Sequence, residues 1–129
     1  MKNTILLFTC IAAMYLGTAG AADLAIPFGI PQLPDARLAI SDAYDSPSGD
    51  REEWIARFGT KASRQDIIAF YRNALEEAGF EIYSTADREN SAMIAGKRDD
   101  DRITVSFRTQ SDWVEADESE FSIKAVYNK

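Results

Sequence analysis

Three consecutive carboxylates, Asp99-Asp100-Asp101, are the densest group of side chains in this sequence able to bind a hard cation. A calcium loop spaces its ligands, bends at a glycine and closes with a distal bidentate Glu. Here Gly96 precedes the run rather than dividing it. The triplet therefore reads first as a solvated turn between two strands, with weak calcium ligation as the sharper alternative. The 21 Asp and Glu residues offer many pairs for carboxylate-based hydrolysis, but no spacing sets two of them across a cleft. No pattern places a serine beside Lys61, Lys97 or Lys124 as a dyad. The sequence has no histidine and a single cysteine, Cys10. That removes Ser-His-Asp and Cys-His catalysis, nearly every zinc site and a histidine pH switch. No catalytic residue, cofactor or resident metal is assigned.

Binding chemistry has better candidates. Residues 109–120 are strongly acidic yet carry Trp113-Val114. A large aromatic in a polar loop suits an interface anchor, because Trp is over-represented among binding hot spots. The plainer expectation is that Trp113 tucks under its loop or continues the inner face of the preceding strand, since 103, 105, 107 and 113 share parity. A second candidate is the segment 22–35, with prolines at 27, 31 and 34 and apolar residues Ile26, Phe28, Ile30 and Leu33. Proline fixes φ and removes a donor, so this arm is extended. It either lies along the domain as part of the core or docks on a partner through Phe28 and Ile30.

The address of the protein is read from residues 1–21. Lys2 precedes an apolar run from Ile5 to Leu16, and small residues follow through Ala22. The run is about a dozen residues, shorter than the roughly 20 that span a bilayer, and Ala19-Gly20-Ala21 fits a peptidase site. A cleaved secretory leader is expected, with cleavage after Ala21 or Ala22 and no remaining membrane span. The product is periplasmic or secreted. Taking 21 residues from 129 leaves 108, one domain's worth. Cys10 leaves with the leader, so the mature chain is disulfide-free. Lys2 leaves too, so 13 basic residues face 21 acidic ones and the net charge moves from −7 to −8. Such a field disfavours nucleic acid as a partner.

The elements that must position these candidates follow from periodicity. Leu38 and Ile40, both expected to face in, mark a strand over 37–41, and 42–50 is rich in turn formers. Trp54, Ala56 and Phe58 alternate with polar residues in a second strand, which makes a hairpin. Residues 63–78 form the one clear helix. Ser63 and Asp66 have capping-box spacing, and Ile67, Ile68, Tyr71, Ala74, Leu75 and Ala78 make one apolar stripe. Gly79 supplies the left-handed exit and Phe80 folds back. Four strands follow: Phe80, Ile82 and Ser84 share one face of the first; Met93 and Ala95 mark the second, within 91–97. Ile103, Val105 and Phe107 line the third, and Phe121, Ile123, Ala125 and Tyr127 the fourth. The expectation is a two-layer α+β domain over 36–129, with one helix on a mainly antiparallel sheet of five to six strands in the order β-β-α-β-β-β-β.

Three pieces in fixed order add a resemblance. They are Ile30-Pro31-Gln32-Leu33-Pro34-Asp35-Ala36, Phe58-Gly59-Thr60, and Phe70-Tyr71-Arg72-Asn73-Ala74-Leu75 ending at Ala78-Gly79-Phe80. Over residues 30–83 the chain resembles small exported bacterial α+β modules, a family type that implies fold and compartment and transfers no functional residue. The function expected first is a non-enzymatic exported domain that binds a protein partner in the envelope or outside the cell. A module for a small ligand or cation is the alternative, and a carboxylate hydrolase the second alternative.

Overall fold

The computed structural model describes residues 24–129; the leader, Cys10 and the start of the arm lie outside the described residues. Two strands, β1 (Arg37–Asp45) and β2 (Arg51–Thr60), precede one α-helix, α1 (Arg64–Glu77). Four more follow: β3 (Glu81–Arg88), β4 (Ser91–Arg98), β5 (Asp101–Arg108) and β6 (Ser119–Asn128). All neighbours pair antiparallel in one six-stranded sheet of order β1-β2-β6-β5-β4-β3. The expected two-layer α+β architecture and element order are the observed ones.

Helix α1 starts and stops where local chemistry dictates. Ser63 is the N-cap, and its hydroxyl accepts from the Asp66 amide at 3.1 Å. At the other end the Phe80 amide donates to the Leu75 carbonyl and the Gly79 amide to that of Glu76. This pair of bonds is a Schellman exit, and it needs the left-handed backbone that Gly79 adopts at φ 90°. Ile67, Tyr71, Ala74 and Leu75 form the buried stripe.

The inner face of the sheet is built in rows across the strands. Phe58, Phe121, Phe107 and Ala92 make one row; Ala56, Ile123, Val105 and Ile94 make the next; Trp54, Ala125, Ile103 and Gly96 make the third. The Phe58 and Phe121 rings stack with centroids 4.8 Å apart. Side chains buried this fully contribute about 1.5–3 kcal/mol each.

Three expectations are corrected at the strands. Strand β1 runs on through Asp42–Asp45, which the turn-forming residue types concealed. In β3 an irregularity between Ile82 and Ser84 shifts the register, so Ile82 stays opposite Gly96 on the inner side while Ser84 pairs with Ala95 on the outer. In β1 the expected inward-facing pair is split by a register shift, so that Leu38 lies opposite Phe58 and Ile40 opposite Arg57, and both are exposed.

Helix α1 lies mainly over β3, β4 and β5 and reaches β6 through Tyr71, whose ring sits 5.5 Å from that of Phe121. The inner face toward β2 and β6 is covered by the arm instead. Ile26, Ile30 and Leu33 belong to the same buried cluster as Ala56, Phe58 and Ile123.

Candidate functional site

The arm has no strand partner, so its backbone polar groups must be satisfied in other ways. The Leu33 amide donates to the Tyr71 hydroxyl at 2.8 Å, a buried bond between the arm and α1. Gln32 ties the arm to itself, accepting from the Leu24 amide and donating to the Ala36 carbonyl. Pro27–Gly29 form a single 3₁₀ turn in which Phe28 has φ 68° and ψ 12° and Gly29 has φ 74°. A bulky residue in left-handed backbone costs about 1–2 kcal/mol and persists only where surrounding contacts hold it.

Those contacts are aromatic. The Phe28 ring meets Phe80 at 5.1 Å and Tyr127 edge-on at 5.6 Å, and the Arg98 guanidinium lies 5.2 Å from its centroid. Arg98 also stacks over Phe80 at 4.4 Å, donates to the Ala78 carbonyl at 2.7 Å and pairs with Asp101 at 3.2 Å. Beside Phe28 an open cavity of about 380 Å³ is lined by Ala25, Ile26, Pro27, Phe28, Trp54 and Tyr127. No carboxylate lines it. Burial raises the Tyr127 phenol above its ordinary pKa, and Glu52 beside it raises it further. Burial pushes the Tyr71 phenol up strongly, opposed in part by the amide of Leu33.

The candidates from the sequence fall in different places. Phe28 is half-buried in this aromatic group. Ile30 is 3% exposed and belongs to the core, its side chain covered by its own domain. Trp113 is 46% exposed and neither tucks under its loop nor extends the inner face. It sits 5.6 Å from the guanidinium of Arg57, which pairs across the sheet with Ser122 on the outer face. Val114 beside it is half-buried.

The β5–β6 loop is pinned to that outer side by Arg37–Glu118 and Lys61–Asp117 ion pairs. Beneath it, Glu120 is 3% exposed and bonded to Arg57 at 2.8 Å through Oε2, while its buried Oε1 has no hydrogen-bond partner.

Asp99, Asp100 and Asp101 lie where β4 turns into β5, with Asp99 at φ 53°. Asp101 is taken by Arg98, and backbone carbonyls of the run accept from Arg102 and Arg51. The three carboxylates do not converge. Among the described residues no group of three or more His, Cys, Asp or Glu is placed to hold a metal ion. Among the same residues no helix is long and apolar enough to cross a membrane.

The aromatic group joins residues 28, 54, 80, 98 and 127, and sequence reasoning singled out only Phe28 as a contact. Trp54 and Tyr127 were legible as strand residues, Phe80 as the residue folding back at the helix exit and Arg98 not at all, because their convergence depends on sheet order.

A family model described as START domain-like matches residues 40–119. One solved structure similar to this chain is CalU16 from Micromonospora echinospora, at 10% identity and a TM-score of 0.37, covering 74% of this chain and 70% of that one. Among curated proteins, none matches.

Proposed function

The chain belongs to the START domain-like family, and on that premise we propose that it is a small-ligand-binding module taking an apolar ligand between its arm and its sheet. The observation that carries this reading is the division of labour over the inner face. The helix lies mainly over β3 to β5 and touches β6 through Tyr71, while much of the side toward β2 and β6 is covered by an arm without ladder hydrogen bonds. Ligand sites are concave, mostly apolar and bounded by a few oriented polar groups. The cavity beside Phe28 has that character, with Trp54 and Tyr127 as aromatic walls. The family membership favours this small-ligand reading over contact with a protein partner.

Trp54 reports on the site directly. Trp113→Phe leaves it as the sole tryptophan of the two in the chain. Titration of that variant with 1-octanol should shift Trp54 emission saturably and raise the thermal midpoint, since a ligand bound only by the folded state stabilises it. A linear, unsaturable response with no change in midpoint would contradict the reading.

Export belongs to the same proposal and rests on the leader-like residues 1–21. A second reading, contact with a protein partner through Trp113 and Val114, is favoured by the exposure of Trp113 on a pinned loop. Trp113→Ala should then abolish capture of an envelope component without altering octanol binding.

A further inference from the structure

The walls around Phe28 each have an anchor besides it. Phe80 is fixed by the helix exit, its amide bonded to Leu75 and its side chain buried. Arg98 is fixed by the Ala78 carbonyl and by Asp101. Tyr127 is carried by β6, paired opposite Glu52 of β2. Phe28, in contrast, belongs to a segment with no strand partner and sits in left-handed backbone. A preformed set of walls around a strained occupant is the arrangement expected of a site filled by its own chain.

We propose that Phe80, Tyr127 and Arg98 form a subsite for a planar aromatic ring, and that Phe28 is its resident occupant, displaced when a ring-bearing ligand binds. This deepens the ligand-binding reading and rests on it. The recognition chemistry is specific to ring faces and edges. Phe80 and Tyr127 offer tilted and edge-on contacts, and a guanidinium is attracted to the electron-rich face of an aromatic ring. A saturated ring of the same size fills the space but presents no such face. Displacement also releases the left-handed backbone at Phe28, which lowers the cost of opening the arm. The open cavity lined by Trp54 and Tyr127 then becomes continuous with the vacated position.

The test compares p-cresol with 4-methylcyclohexanol, which share a skeleton and differ in ring saturation. In the wild-type chain, saturating p-cresol should abolish the nuclear Overhauser contact between the Phe28 and Tyr127 rings, and 4-methylcyclohexanol should leave it. In Phe28→Ala, checked for retained fold by circular dichroism, p-cresol should bind at least about tenfold tighter, roughly 1.4 kcal/mol. The gain for 4-methylcyclohexanol should be smaller. Retention of the Phe28–Tyr127 contact at saturating p-cresol would overturn the proposal, as would equal gains for the two compounds. If 1-octanol binds and p-cresol does not, the ring subsite falls and the ligand reading stands. If neither binds, both fall.

Discussion

The Leu33 amide donates to the Tyr71 hydroxyl at 2.8 Å across 38 residues of sequence, and it is the one buried hydrogen bond between the arm and the helix among the described residues. Tyr71→Phe keeps the ring against Phe121 and removes the acceptor. A buried donor left unmatched costs about 1–3 kcal/mol. The variant should lose stability in that range in urea unfolding, with faster hydrogen exchange at Leu33. Unchanged exchange there would show that the arm is held by packing alone.

Alkaline pH should weaken the fold through the same residue. The folded pKa of Tyr71 is raised by burial, so the unfolded chain releases this proton first. The stabilisation is complete below about pH 10, the unfolded value, and is lost as pH rises from there toward the raised folded value. Tyr127, Lys124 and Lys129 are raised too and act in the same sense. Tyr71→Phe should flatten the decline in melting temperature between pH 9 and 11 without removing it.

The acid side is governed in part by Glu118. Its bond to Arg37 comes first and the Glu115 amide second in holding its carboxyl below the usual carboxylate range. A depressed folded pKa gives stability that is present above the unfolded value of about 4.3 and lost as pH falls through the folded one. The pair is partly exposed, so its contribution is modest, about 0.2–1 kcal/mol. Glu118→Gln should reduce the acid slope of stability and leave the curve above pH 6 nearly parallel to wild type.

The central row of the core should be least tolerant. Phe121 is fully buried, stacked on Phe58 and in contact with Tyr71. Phe→Ala at such a position costs about 3–5 kcal/mol, against a total of roughly 5–15 for a domain. Phe121→Ala should shift the denaturant midpoint far more than Trp113→Ala, whose side chain is already 46% exposed.

Much of this architecture can be read from local pattern, and the exceptions have physical causes. Helix α1 was legible because its cap, stripe and glycine exit are all encoded within eighteen residues. Strands β5 and β6 were legible because one face is buried and one wet. The length of β1 was not, because an edge strand exposed on both faces carries no alternation and Asp42 and Asp45 look like turn residues. Parity misplaced Trp113, since strand alternation ends at Arg108 and the following loop turns to the outer side. The apolar arm could be read as covering material. The ring around Phe28 could not, because it gathers side chains from both ends of the chain and from the helix exit.

On the proposed function, an apolar ligand occupies the space between the arm and strands β2 and β6. The most direct measurement is intermolecular nuclear Overhauser contacts from 1-octanol to the assigned, labelled protein. Contacts to Trp54, Tyr127, Ile26 and Phe28 are expected, saturating together with the emission change of Trp54. Contacts scattered over the outer sheet face, or none at saturating octanol, would contradict it.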